Sequence, residues 1–209
     1  MESLFDTDKA IQTFLAHCRS KTYPSKSMII RQGAPTGELF YVIDGSVAVM
    51  LADKKGNEIV LAYLNKGEFF GEMGLFKDDM SRTALVRARQ KSEIGRISYQ
   101  KLQTMVDIIP DLMFALNTQL AMRLRSTNRK VGDLAFMDVF GRVARALLDL
   151  SQEPDAMTHP EGMQIRITRQ ELGRIVGCSR EMVGRVLKEM EAQHHISTHG
   201  RNIVVFGTR

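Results

Sequence analysis

Two clusters of residues carry chemistry that packing alone would not require. The first opens at Thr168 and closes at Met190, with Gly177 and Ser179 set between two apolar repeats. Thr168 and Glu171, three residues apart, read as a capping box that starts a helix, with Leu172, Ile175 and Val176 on its buried face and Gly177 at its end. Ser179 is placed to cap a second helix that buries Val183, Val186, Leu187 and Met190. Arg180, Glu181, Gly184, Arg185 and Lys188 then share the outward stripe. An arginine can donate two bonds to guanine O6 and N7, a glutamate can accept from cytosine N4, and a glycine lets backbones come close. On an arbitrary amphipathic helix this stripe would be a solvated face. Cap, turn and second cap together make it a helix-turn-helix, which reads DNA from the N-terminal end of its second helix.

The second cluster is Gly67-Glu-Phe-Phe-Gly71-Glu72-Met73-Gly74-Leu75-Phe76, followed by Ser81-Arg82-Thr83-Ala84. Closely spaced glycines allow a loop and a short helical turn whose N–H groups can face an anion, while Arg82 offers a charge-assisted fork and Thr83 a hydroxyl. A carboxylate at Glu72 is out of place beside phosphate but suits a ribose 2′-hydroxyl, so the cluster favours a cyclic ribonucleotide over inorganic phosphate. Glycines and one arginine alone would be turns and a surface charge; the combined spacing is the signal.

The elements that must position these clusters change period along the chain. Ile11, Phe14, Leu15 and Cys18 follow helical spacing, and β-rich runs then occupy 28–30, 39–43, 47–51, 59–64, 83–88 and 93–97, divided by glycine turns. This predicts a small antiparallel barrel or roll over 1–109. From Pro110 one long helix is expected, with Leu112, Leu116, Leu120 and Leu124 leading a stripe that continues through Thr127, Val131 and Leu134. The stripe outlasts one small barrel, which points to a parallel coiled coil and a homodimer; the alternative is a helix packed on its own domain. Residues 110–137 form this helix and a hinge near 132–136. Residues 138–209 are expected to form the second domain, where Asp138 caps a helix burying Val139, Val143, Ala146, Leu147 and Leu150, 151–162 is a loop, and a closing hairpin turns at His199 and Gly200. Helices with such a hairpin make a winged helix, so the expected class is α+β, a roll, a long helix and a winged helix-turn-helix.

The 209 residues suffice for two domains, and a formal charge of +5 favours an anionic partner without identifying it. Cys18 and Cys178 lie too far apart in sequence for a CxxC site, so no disulfide framework or metal centre is expected. His194, His195 and His199 invite a metal-hydrolase reading, but without a matching carboxylate they suit a solvated or phosphate-facing role, and no enzyme activity is expected. Glu2, Asp6 and Asp8 stand where a signal peptide would be basic and then apolar, and no apolar run reaches the roughly 18 residues of a membrane span. A cytoplasmic protein without a membrane partner is expected.

With these parts in order, the chain resembles the cyclic AMP receptors of the CRP/FNR family of bacterial transcription regulators, over nearly its whole length. The resemblance rests on Gly71-Glu-Met-Gly74, Ser81-Arg-Thr-Ala84, Tyr23-Pro-Ser-Lys-Ser27, Gly45-Ser-Val-Ala-Val49, Lys130-Val-Gly-Asp-Leu-Ala-Phe136, the run from Asp155 to Gln164, and Val176-Gly-Cys-Ser-Arg-Glu181. It implies cyclic AMP (cAMP) in the roll, with the phosphate on Arg82 and Thr83 and the ribose on Glu72, with Gly71 and Met73 beside it. The adenine would reach Thr127 and Asn128, walled by Val49, Leu61 and Leu64. Thr83 and Asn128 stand where the best-known relative usually has serine, which bears on affinity and on cAMP over cGMP selectivity. A second nucleotide site is implied near Glu58, Ala135, Gln170 and Arg180, with Asn57 replacing a lysine there.

For DNA, the resemblance assigns Arg180, Glu181 and Arg185 to bases of a TGTGA-type half-site, and Thr168, Gln170, Ser179, His199 and Gly200 to the backbone, with Arg169 also among the DNA-binding residues. Met182 replaces a threonine. It also implies contact with the RNA polymerase α subunit through Ala156, Thr158, His159, Pro160, Glu161 and Gly162, and a second polymerase patch at Arg19, Lys21 and Lys101. A third patch spans 52–58, where Ala52 replaces a lysine. The expected function is a cAMP-dependent regulator that binds palindromic DNA as a homodimer. Two alternatives are a family member sensing another effector and a cyclic-nucleotide-binding regulatory subunit of an enzyme, which would need no winged helix.

Overall fold

Short, nearly continuous apolar runs between Met28 and Ser98, such as 39–43 and 47–51, pair into two antiparallel sheets. The computed structural model describes residues 7–75, 81–106 and 109–208; Glu2, Asp6 and Phe76 lie outside them. Helix α1 (Thr7–Ala16) leads into strands β1 (Arg19–Tyr23), β2 (Met28–Ile30), β3 (Glu38–Asp44), β4 (Ser46–Ala52), β5 (Glu58–Asn65) and β6 (Phe69–Phe70). A single 3₁₀ turn, Glu72–Gly74, precedes β7 (Leu85–Ala88), β8 (Ser92–Ser98) and the helix α2 (Tyr99–Val106). The sheets run β1-β8-β3-β6 and β2-β7-β4-β5.

The strands expected at 28–30, 39–43, 47–51, 59–64 and 93–97 are all present, most of them longer by a residue or more. The one expected at 83–88 begins only at Leu85, because Thr83 belongs to the cradle described below. Strand β1 went unread because its Arg-Ser-Lys-Thr sequence is exposed and polar; it is an edge held by β8, with Arg19 opposite Arg96 and Tyr23 opposite Ser92. The roll core closes around α1, where Phe14 meets Phe69 edge-to-face at 5.4 Å and Tyr41 at 6.1 Å.

Helix α3 (Pro110–Phe136) is one continuous helix, and its leucines do not share one face. Leu112 and Leu116 are each 2% exposed and packed into the roll core, Leu120 packs partly against it, and Leu124 is 62% exposed. A strict four-residue spacing turns about 40° per step around a helix, so the stripe winds away from the roll. Leu112 and Leu116 are therefore core residues of their own domain and not a dimer seam. A seam with the coiled-coil period is left exposed instead: Phe114, Asn117, Ala121, Leu124, Asn128, Val131 and Ala135, at alternating steps of three and four.

The chain divides into two compact units, Met1–Thr127 and Asn128–Arg209, so the division falls within α3. Residues 132–136, expected as a hinge, are helical, and the turn out of α3 is made by Met137 and Asp138. In the second unit Asp138 caps α4 (Val139–Ser151), accepting from Gly141 N at 2.8 Å. Strands β9 (Met157–His159) and β10 (Gly162–Arg166), helices α5 (Arg169–Val176) and α6 (Arg180–Ala192), and strands β11 (Ile196–His199) and β12 (Asn202–Phe206) follow. Their sheet runs β11-β12-β10-β9. The loop expected over 151–162 is therefore half a β-hairpin, with Met163 paired to Thr158 and Val205. Leu147, Leu172 and Val183, from α4, α5 and α6, are almost fully buried.

Candidate functional sites: a nucleotide cradle and a helix-turn-helix surface

Strand β6 buries Phe69 and Phe70 and so delivers Gly71 to the rim of the roll in a left-handed conformation, φ 80°. A Cβ there would lie 2.7 Å from Arg82 Nη1 and 3.2 Å from Glu38 O, so glycine is required by closeness as well as by backbone. Arg82 donates from Nη1 to Gly71 O (2.9 Å) and Tyr99 Oη (3.2 Å), and from Nη2 to Glu38 O (2.8 Å). The fork expected to face a phosphate thus braces the rim first, and of its five N–H donors, Nε–H and one on Nη2 remain for an anion. Tyr99 from α2 also donates to Gly71 O. Burial, the largest influence on its phenol, raises the pKa and keeps it a neutral donor.

Glu72 is 7% exposed, which a carboxylate tolerates only with partners. Its partner is Arg123 on α3: Nη1 lies 3.0 Å from Glu72 Oε1, and Nη2 donates to Phe69 O at 2.7 Å. Sequence reasoning missed Arg123, although Gln119, Arg123 and Thr127 recur at steps of four beside the buried leucines. Thr83 is exposed at the cradle mouth, its hydroxyl 3.3 Å from the Met73 sulfur. Thr127 is exposed and donates its hydroxyl to Arg123 O at 2.9 Å. Asn128 is exposed on the first turn of the second unit. Of the expected base-walling residues, Val49 and Leu61 are partly accessible, whereas Leu64 is 1% exposed and belongs to the roll core.

In the second unit both caps form: Thr168 Oγ1 accepts from Glu171 N at 3.1 Å, and Ser179 Oγ from Met182 N at 3.2 Å. Gly177 ends α5 at φ 70°. Arg180, Glu181, Arg185 and Lys188 are exposed on α6, as are Arg169, Gln170, His199 and Gly200 outside it. Arg169 lies across α6, since a Cβ at Gly184 would be 3.7 Å from its guanidinium. The pKa of Glu181 is lowered first by its own backbone N–H and then by Ser179, so it is an acceptor at neutral pH. Glu191 accepts from Thr198 N at 2.7 Å and fixes the wing strand β11 to α6.

Glu58 is held by Arg87 in a two-bond pair, the shorter at 2.8 Å, while Ala135, Gln170 and Arg180 belong to the second unit. Thr158 and His159 lie on β9, Ala156 precedes it, Pro160 and Glu161 form the hairpin turn, and Gly162 opens β10. Arg19 and Lys21 are exposed on β1, and Lys101 Nζ donates to His17 O. Among the described residues no helix is long and apolar enough to cross a membrane.

A braced anion cradle in a roll, carried on one chain with a capped helix-turn-helix, defines a ligand-binding DNA regulator. Residues 20–108 match the cyclic nucleotide-binding domain family and 141–206 the Crp-like helix-turn-helix domain family. The cAMP-activated global transcriptional regulator CRP of Salmonella typhimurium is 53% identical over 203 residues, 97% of each chain. The cAMP-activated global transcriptional regulator Vfr of Pseudomonas aeruginosa is 54% identical over 204 residues, 96% of this chain and 95% of its own. The solved structure of the c-di-GMP responsive global regulator CLP of Xanthomonas campestris matches with a TM-score of 0.91 at 44% identity, covering 96% of this chain and all of that one. The chain belongs to the CRP family of transcription regulators.

Proposed function

We propose that the chain is a cAMP-dependent, sequence-specific transcription regulator that binds palindromic sites as a homodimer and contacts RNA polymerase. It acts by binding and not by catalysis, in the cytoplasm. The observation that carries this reading is Glu72, buried and ion-paired beside the Arg82-braced Gly71: a carboxylate kept ready at an anion cradle suits a ribose hydroxyl next to a cyclic phosphate. Thr83 supplies the exposed hydroxyl for the phosphate. Thr127 spends its proton on Arg123 O, so its oxygen is left as an acceptor, which matches the adenine amino group and not the guanine carbonyl.

The exposed seam of Phe114, Leu124 and Val131 supports dimerisation, and a twofold axis would present both α6 helices to the two halves of a palindrome. The β9–β10 hairpin tip and the Arg19, Lys21 and Lys101 patch are the surfaces offered to polymerase. A second nucleotide site would need Glu58 released from Arg87.

Calorimetry with cAMP and cGMP, followed by gel retardation on a palindromic TGTGA-type site with and without ligand, tests the reading. DNA retention that rises with cAMP in the wild type and is lost in Arg82→Leu supports it; cAMP-independent retention overturns it. A second reading, c-di-GMP as effector, is favoured by the 44% identity to the c-di-GMP responsive regulator, and titrating c-di-GMP in the same assay separates the two.

A further inference from the structure

Beyond the residues that would touch a nucleotide, the structure assigns Gln119 as a positioning residue of the cradle, stapling α3 to the open edge of β6 and so setting where Arg123 meets Glu72. The inference rests on the nucleotide reading above. Strand β6 lies at the edge of its sheet, paired on one side with β3 through Phe40 opposite Phe70 and Tyr41 opposite Phe69. Its other side would expose backbone groups that need partners. Among the described residues no strand supplies them. Gln119 Oε1 accepts from Phe69 N at 2.8 Å, and Gln119 Nε2 donates to Gly67 O at 2.8 Å, so one side-chain amide bonds the backbone on both sides of Glu68 as a neighbouring strand's peptide would.

One helical turn further, Arg123 takes the next free group, Phe69 O, and the Glu72 carboxylate. Another turn on stands Thr127, whose hydroxyl is tied to Arg123 O. Gln119, Arg123 and Thr127 thus lie along one face, and the staple at the first sets how far along the cradle the other two reach. Arg123 could not choose this position alone, since a long, flexible side chain reaches Glu72 from several placements of the helix. The Gln119 amide, bonded at both ends to fixed backbone groups, allows few.

The test is cAMP binding by calorimetry in Gln119→Met, which keeps length and helix preference but loses both bonds, and in Gln119→Glu, which keeps the acceptor for Phe69 N and loses the donor to Gly67 O. Two net hydrogen bonds correspond to roughly tenfold or more in an equilibrium constant, so Q119M should bind cAMP at least tenfold more weakly, and Q119E, which sets a carboxylate oxygen against the Gly67 carbonyl, should bind no better than Q119M. Circular dichroism confirms that each variant is folded; if Q119M does not fold, Q119E carries the test. The readout that separates positioning from support is a double-mutant cycle with Arg123→Lys, which keeps the charge but not the fork. If Gln119 acts through Arg123, the Q119M loss shrinks several-fold in the R123K background. Equal losses in both backgrounds, or cAMP affinity in folded Q119M or Q119E within twofold of wild type, overturn the inference while leaving the nucleotide reading intact. Wild-type protein that takes up no cAMP overturns both.

Discussion

Asp133 Oδ1 on α3 accepts from Arg145 Nη1 on α4 at 2.6 Å, and one turn back along α3 the exposed Arg129 lies 3.4 Å from Asp149, one turn forward along α4. The two crossed pairs bind the last turns of α3 to the first helix of the DNA-binding unit, and Arg142 adds a bond to Met137 O at 2.8 Å and another to Val176 O at 3.1 Å, where α5 ends. A cation at a helix C-terminus suits the dipole there. Any rearrangement of this unit therefore carries residues 129–136 with it. Replacing Arg145 with Gln should lower the unit's stability by about 0.5–1 kcal/mol, and Asp149→Asn by less, because the Asp149 pair is about half exposed on both sides. Urea denaturation at low and high salt checks this. Added salt should shrink both differences, and a salt-independent loss would assign the effect to packing.

The Glu72–Arg123 pair has a different character, being largely withdrawn from water. Arg123→Met leaves a buried carboxylate uncompensated, with an expected cost of about 3–5 kcal/mol. Adding Glu72→Gln to R123M should restore part of that stability without restoring cAMP binding. Thermal unfolding beside calorimetry separates the two effects; recovery of ligand affinity in the double variant would remove Glu72 from the ribose contact.

Thr127 makes a prediction about selectivity. Thr127→Val keeps the shape but removes the oxygen that would accept from an adenine amino group, whereas Thr127→Ser keeps it. The ratio of cAMP to cGMP affinity should fall in T127V and hold in T127S. An unchanged ratio in T127V would place discrimination elsewhere, with Asn128 the next residue to vary.

The sequence exposed the second unit almost completely because its signals are local. Thr168, Glu171, Gly177 and Ser179 each act within three or four residues, and the structure realises every one of these caps and turns. What the sequence concealed depends on tertiary partners. The leucine spacing predicts a seam, yet which end of the stripe faces the roll depends on a core assembled from α1, β3 and β6. Arg123 and Gln119 acquire roles only because an edge strand about 50 residues earlier has one side that no strand among the described residues covers. Likewise β1 is too polar to announce itself and becomes a strand because β8 offers it a ladder.

Burial pushes the Cys18 thiol up to about 12, against a smaller opposing pull from Lys101. The folded protein therefore keeps this proton at pH values where the unfolded chain has lost it. The associated stability is fully present below pH 9 and declines as pH rises from about 9 towards 12. Alkylation of Cys18 at pH 8 should be slow in the native protein and fast in urea. Mass-spectrometric mapping that found Cys18 modified at the free-thiol rate under native conditions would contradict its burial.

Arg185 is exposed on the helix face it shares with Glu181, and the Ser179 cap fixes where that face begins. If Arg185 donates both bonds to a guanine, Arg185→Ala should cost about 1–3 kcal/mol at one position of the half-site and leave the other positions discriminated as before. Arg169, laid across Gly184 from α5, is expected to meet a phosphate and should behave differently: Arg169→Ala should weaken all sequences alike and lower the salt dependence by about one phosphate contact. Gel retardation over a set of single-base variants, repeated at two salt concentrations in saturating cAMP, distinguishes the two signatures. Uniform loss in R185A would move Arg185 from the bases to the backbone, and a position-specific loss in R169A would bring Arg169 into the reading face.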